Sequence, residues 1–130
     1  MNKTALSAGV LFAGLSVILG AFGAHALKPL IGAEQLQVFE SGARYQMYHS
    51  LALLAVGILS ISLKNKMIAW SANFSIIGIL LFSGSLYTMT FLKIKGQVGL
   101  GGLGLITPIG GLFFILGWLF FLIGVLKKSK

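Results

Sequence analysis

The chain has little charge, few acidic residues and no cysteine, and each shortage excludes a class of protein. Charged residues occupy 9% of its 130 positions, whereas an ordinary soluble domain carries roughly 25%. So little charge cannot coat a water-facing surface. The absence of cysteine excludes a disulfide scaffold, a thiolate metal site and a cysteine nucleophile. The two acids, Glu34 and Glu40, argue strongly against hydrolysis by paired carboxylates.

Apolar residues are abundant instead, at 57% of positions, and they fall into four spans. A helix that crosses the hydrocarbon core needs about 20 mostly apolar residues. Three spans are uncharged and long enough, and the other reaches that length only if its helix begins near Tyr45. The sequence therefore predicts an all-α integral membrane protein with a single membrane domain over residues 1–130. Its crossing helices are expected at about 4–27, 45–63, 67–92 and 107–126.

The segment between the first two spans is polar enough to lie outside the hydrocarbon. Residues 28–44 contain both acids together with Lys28 and Arg44, and apolar positions alternate there with polar ones. Pro29 prevents a straight continuation of the first helix. We expect a short amphipathic helix on the membrane surface between helices 1 and 2, running into the second span and completing a four-transmembrane-helix bundle.

Basic residues decide the expected orientation. With four spans, the side that holds both termini and the second turn carries six of the ten basic residues: Lys3, Lys64, Lys66, Lys127, Lys128 and Lys130. The other side carries four: Lys28, Arg44, Lys93 and Lys95. Because cytoplasmic loops carry the excess of Lys and Arg, we expect both termini in the cytoplasm. The charges lie at helix ends beside the lipid bilayer, so the net charge of +8 does not indicate nucleic-acid binding.

Small residues recur on one face of three spans, which is typical of membrane helices whose backbones approach closely. The first span has Gly9, Ala13, Ser16, Gly20 and Gly23; the third has Ser71, Ser75, Gly78 and Ser85; the fourth has Gly110, Gly117 and Gly124. These faces are interpreted as packing seams of a left-handed bundle. A conduction path along them is the alternative.

The densest polar cluster falls where the first two spans meet the presumed outer surface. Its members are His25, Glu40, Arg44, Tyr45, Gln46 and His49. The two helices are consecutive and antiparallel, so His25 and His49 are expected to be neighbours, and Glu40 can pair with Arg44 one turn later. We interpret the cluster as a polar clasp that locks the first hairpin. Haem or metal binding by the two histidines and a lipid phosphate on Arg44 stay open as alternatives.

Three stretches carry a family resemblance. They are Gly-Ala-Phe-Gly-Ala-His-Ala-Leu at 20–27, the run from Phe39 through Arg-Tyr-Gln-Met-Tyr-His-Ser-Leu-Ala-Leu at 44–53, and Thr-Pro-Ile-Gly-Gly at 107–111 running to Gly117-Trp118. The chain resembles the domain-of-unknown-function 423 family of small membrane proteins, which includes YgdD-like and YwdK-like proteins and relatives of the transmembrane protein 256 type. The resemblance implies a multi-pass protein of the plasma membrane. It implies no agreed reaction, substrate or catalytic residue.

Three functions are compatible with these patterns. The first is a non-enzymatic structural or partner-binding membrane protein, with a homo-oligomer or another membrane protein as partner; no catalytic residue, cofactor or metal ligand is assigned. The second is a small oligomeric transporter or channel, with a wet path that contains Ser71, Asn73 and Ser75. The third is lipid or haem binding at the His25–Arg44–His49 surface.

Overall fold

The computed structural model describes residues 1–97 and 101–127. The helices are α1 (Lys3–Phe22), α2 (Ala33–Leu59), α3 (Lys66–Gly78), α4 (Gly84–Ile94) and α5 (Leu103–Leu126). One π turn, Gly23–Leu27, extends α1, and another, Ile79–Ser83, joins α3 to α4, so the described residues form four long helical segments. The described part contains no strand, and the all-α prediction is confirmed. Lys128 and Lys130, which entered the orientation count, lie outside the described residues.

Three of the four segments are long and apolar enough to cross a membrane. They are Lys3–Leu27, Lys66–Ile94 and Leu103–Leu126, with 25, 29 and 24 residues and mean hydropathies of 2.1, 1.7 and 2.5. Their positions agree with the predicted spans 4–27, 67–92 and 107–126.

The second predicted span needs a correction. Residues 33–59 form one unbroken helix of 27 residues, so this part of the chain has no separate short helix before the second span. A buried face runs along the whole of α2 and includes Phe39, Ala43, Leu53 and Val56. The acids and Arg44 lie away from that face and lower the hydropathy of the segment. The sequence interpretation therefore began the span near Tyr45, although the buried face extends towards the N-terminus beneath the charges.

Side-chain caps and proline explain where the helices begin and end. The Asn2 side chain accepts a hydrogen bond from the Ala5 backbone N–H at 3.0 Å, which caps α1. Asn65 caps α3 by accepting from the backbone N–H groups of Met67 and Ile68 at 3.1 and 3.3 Å. Pro29 lies in the turn between α1 and α2, where its missing N–H costs no helical hydrogen bond.

The antiparallel pair α1–α2 is built on small residues. A Cβ added at Gly9 would lie 2.9 Å from the Leu54 side chain, and one at Gly23 would lie 2.9 Å from the Phe39 ring. The Ser16 hydroxyl, on the same face, donates to the Ala43 carbonyl of α2 at 2.5 Å. Gly20, in contrast, has open space around it. Part of the predicted face of the first span is therefore a packing seam.

The heptad glycines of α5 all pack on the α3–α4 segment. A Cβ at Gly110 would overlap the backbone of Phe82, one at Gly117 would lie 3.0 Å from the Ser75 hydroxyl, and one at Gly124 would lie 2.6 Å from Ile68. The shared core of the bundle collects residues from all of these helices: Ala5, Leu53, Val56, Ile68, Ala72, Ile79 and Phe114.

Candidate functional site

Gln46 joins three helices in the interior of the bundle. Its side chain is 3% exposed, and its Nε2 donates to the Phe12 carbonyl of α1 at 2.8 Å. Its Oε1 accepts from the Tyr87 hydroxyl of α4 at 2.7 Å. One turn later, the Ser50 hydroxyl donates to the Gln46 backbone carbonyl at 2.6 Å. Gln46 therefore lies inside the bundle.

His49 is buried one turn beyond Tyr45, and both of its ring nitrogens are engaged. The Trp118 indole N–H of α5 donates to His49 Nε2 at 3.1 Å. Because an indole only donates, Nε2 carries no hydrogen, and the hydrogen on Nδ1 is donated to the Tyr45 carbonyl at 2.7 Å. The ring stacks on Phe114 with centroids 3.5 Å apart. This neutral, fully bonded imidazole offers no free nitrogen to a metal or a haem iron.

An open groove of about 540 Å³ lies beside His49, between α2 and α5. Its walls are mostly aromatic and apolar: Tyr45, His49, Phe82, Pro108, Gly111, Leu112, Phe114, Ile115 and Trp118. Tyr45 packs on Phe82 with ring centroids 5.0 Å apart, and Trp118 meets the edge of His49 at 5.9 Å.

His25 does not join this group, which corrects the expectation that the two histidines are neighbours. It is exposed on the π turn at the end of α1. Gly23, two residues before His25, packs against Phe39 of α2. His49 lies ten residues after Phe39, which is about 15 Å further along the α2 axis. A shared haem or metal site of His25 and His49 is therefore not formed, because antiparallel packing places His25 near the N-terminal part of α2, whereas His49 lies beyond the middle of that helix.

Arg44 lies at mid-height of the bundle, and not at the end of a helical segment as the sequence interpretation expected. The Ser16–Ala43 hydrogen bond sets its level beside Ser16, close to the middle of the 25-residue segment Lys3–Leu27. The side chain is exposed, and Glu40 one turn earlier is half-buried. Within residues 1–97 and 101–127, neither side chain makes a hydrogen bond or ion pair. The predicted Glu40–Arg44 pair is therefore not present within the chain.

Sequence reasoning missed the partners of Gln46 and His49. Tyr87 and Trp118 come from distant parts of the chain and meet α2 only after the bundle forms. One signal was available: Trp118 follows Gly117, a member of the heptad seam that packs on α3. A large aromatic residue next to that seam is placed where it can reach a neighbouring helix.

Other polar side chains also bond between helices. Ser83 donates to the Gly42 carbonyl at 2.7 Å, and Gln35 donates to the Thr90 hydroxyl at 2.9 Å. In the described ranges, every buried side-chain nitrogen or oxygen has a partner. No three of the His, Cys, Asp and Glu side chains searched there lie close enough to hold a metal ion. Apolar outer faces around internally bonded polar groups define an all-helical integral membrane protein.

The comparisons with known proteins agree with this class of protein. The model of a family described as "protein of unknown function (DUF423)" matches residues 19–111, and the chain belongs to this family. A UPF0382 membrane protein of Staphylococcus saprophyticus is 43% identical over 127 residues. The match covers 96% of this chain and 98% of the length of that relative.

Two further relatives extend this agreement to distant bacteria. The UPF0382 membrane protein YwdK of Bacillus subtilis is 39% identical over 126 residues, covering 96% of this chain and 98% of its own. The UPF0382 inner membrane protein YgdD of Escherichia coli is 34% identical over 125 residues, with coverages of 93% and 91%. No solved structure matches the chain. The resemblance inferred from the sequence motifs is confirmed, and the protein is a membrane protein.

Proposed function

We propose that all four helical segments cross the plasma membrane, with both termini in the cytoplasm, and that the protein has a non-enzymatic structural or partner-binding role. The crossing of α2 requires separate support, because this helix carries both acids and Arg44. Its 27 residues extend about 40 Å, enough for the hydrocarbon core. It packs antiparallel along the length of α1, from Phe39 beside Gly23 to Ser60 beside Asn2. Because α2 lies alongside α1 over this whole length, α2 crosses the membrane together with α1.

The non-enzymatic role is supported by the use of the buried polar groups. Several interior polar side chains bond helix to helix, and Gln46 and His49 are the clearest cases. General acid–base or nucleophilic chemistry needs a reactive group that can reach a substrate. Gln46 and His49 are already engaged by neighbouring helices, and the Ser50 hydroxyl is engaged by the backbone of its own helix, as expected of a structural clasp.

The alternative functions have less support. A shared histidine site would need His25 and His49 at one level, and they are at different levels. A transport path would need Ser71, Asn73 and Ser75 to share a face. Ser71 and Ser75 are buried in the seam with α5, whereas Asn73 is exposed on another side of α3.

Labelling of single cysteines tests the proposed topology directly, because the natural chain has no cysteine. We expect Thr4→Cys and Ile61→Cys to react with a membrane-impermeant maleimide only after the cells are permeabilised. Leu30→Cys and Gln97→Cys should react in intact cells. All four positions are exposed. Labelling of Leu30→Cys and Ile61→Cys from the same side would contradict the crossing of α2.

A further inference from the structure

One face of α2 is left uncovered by the other helices. Gln37, Ser41, Arg44, Tyr48 and Leu51 follow one another at steps of 4, 3, 4 and 3, and each is exposed or half-exposed. We call these five residues the α2 stripe. Alternating steps of three and four are the spacing with which nearly parallel helices pack side by side. The stripe therefore has the form of a helix-packing face without a helix on it.

The depth of the stripe makes its exposure unusual. Arg44 lies at the level of Ser16, near the middle of Lys3–Leu27. The Tyr45 ring beside it packs on Phe82, which lies near the middle of Lys66–Ile94. Two independent segments thus place Arg44 at mid-height of the bundle. Ionisable side chains at such depth face protein or a water-filled cavity, not lipid.

The stripe carries the base Arg44, and the acid Glu40 lies at its edge, so two copies of this face are complementary in charge. Glu40 precedes Arg44 by one turn, and neither has a partner in the described chain. Suppose that two α2 helices pack in parallel, related by a two-fold axis. Each Arg44 is then displaced by about 6 Å along the helix axis from Glu40 of the partner subunit. The two helix axes are about 8–10 Å apart. Charged side chains that flank the seam of a coiled coil bridge a comparable gap.

We propose that the protein forms a two-fold symmetric dimer through the α2 stripe, in which Glu40 of each copy pairs with Arg44 of the other. The proposal rests on the four-crossing topology proposed above, since a stripe at the membrane surface would meet water. A second copy is the best-supported occupant because the pairing uses an acid and a base that the chain itself leaves uncommitted. The four side chains together form a neutral cluster.

A lipid phosphate does not explain Arg44 equally well. Arg44 is 11 residues after the start of α2 at Ala33, about 16 Å along the helix axis. Head groups lie beyond the ends of the crossing helices. An acid at the same depth, on a neighbouring helix, is the closer match for the guanidinium.

Cysteine crosslinking in native membranes tests the interface. We expect Ser41→Cys and Tyr48→Cys, each the only cysteine in its chain, to give a band of twice the monomer mass when copper phenanthroline is added. Val17→Cys on α1 and Ile115→Cys on α5 are matched controls, because both are exposed near the same depth. These controls should stay monomeric. Crosslinking at Ile115 but not at Ser41, or a band of another mass at Ser41, would overturn the proposal.

Charge reversal tests the pairing itself. With Ser41→Cys as the reporter, E40R alone and R44E alone should each abolish the dimer band, and the double variant E40R/R44E should restore it. Restoration requires that the two charges meet each other, and a different partner protein would not supply the reversed pair. A double variant that stays monomeric although it accumulates in the membrane would overturn the pairing.

The topology labelling distinguishes a failure of this proposal from a failure of the four-crossing arrangement. If the Ser41→Cys and Tyr48→Cys variants stay monomeric while Leu30→Cys and Ile61→Cys are labelled from opposite sides of the membrane, the dimer is rejected and the crossing of α2 is retained. Labelling of both from one side would reject the crossing of α2, whatever the crosslinking shows.

Discussion

The side chain of Gln46 lies where α1, α2 and α4 meet, and both ends of its amide are engaged. The hydrocarbon core holds no water that could hydrogen-bond an unpaired amide. Gln46 must therefore find its partners on neighbouring helices, and it thereby specifies how the three helices pack together. His49 has the same role toward α5 through Trp118. The sequence drew attention to both residues because polar groups near a span need a reason. It could not name their partners, which are 41 and 69 residues away.

Replacing Gln46 by Leu should destabilise the bundle. The change removes the side-chain hydrogen bonds that Gln46 makes with the Phe12 carbonyl and the Tyr87 hydroxyl. Interhelical hydrogen bonds in membranes are worth about 1–2 kcal/mol in model peptides. Unfolding in detergent by added SDS, followed by circular dichroism, should show a loss of that order.

Tyr87→Phe tests the same bond from its other end. Its effect should be largely absent in a Gln46→Leu background, because the bond it removes no longer exists there. Gln97→Leu in an exposed turn is the control and should change little. Equal and additive losses from Gln46→Leu and Tyr87→Phe would contradict a direct bond between them.

The helices themselves were predictable to different degrees. The three uncharged spans were found at nearly their observed bounds, because length and hydropathy alone define them. The start of α2 was not found, since its outer side carries Glu40 and Arg44 while Phe39 and Ala43 are buried behind them. Average hydropathy mixes the two faces of a helix. The depth of Arg44 and the separation of His25 from His49 both follow from that missed start.

The glycines of α5 offer a test at the scale of one element. Gly110→Ala should destabilise the fold, because the added Cβ would overlap the Phe82 backbone and force α5 away from the α3–α4 segment. Overpacking of this kind costs typically about 1–3 kcal/mol. Gly104→Ala lies in the same helix with open space around it, so it should be neutral or slightly stabilising through helix propensity. SDS unfolding of the two variants should separate them, and equal stabilities would contradict the close contact.

At the scale of the whole molecule, the bundle is two helix hairpins held against each other. The α1–α2 hairpin has its own seam at Gly9 and Gly23, and the hairpin of α3–α4 with α5 has its own seam at Gly110 and Gly124. Between the hairpins, polar bonds act where lipid provides no hydrophobic driving force. Ser83 bonds to Gly42, Tyr87 to Gln46 and Thr90 to Gln35. Such hairpins are expected to insert separately and then to associate.

Cutting the chain between the hairpins tests this arrangement. We expect fragments 1–62 and 63–130, expressed together, to assemble, because the cut falls in an exposed turn and leaves Asn65 with the helix it caps. A tag on the first fragment should retain the second through purification in mild detergent. Gly42→Leu in the first fragment is the matched control and should release the second, since even a Cβ at Gly42 would lie 2.9 Å from the Tyr87 ring. Fragments that insert in the membrane but purify apart would show that the covalent turn, and not the interhelical bonds, holds the hairpins together.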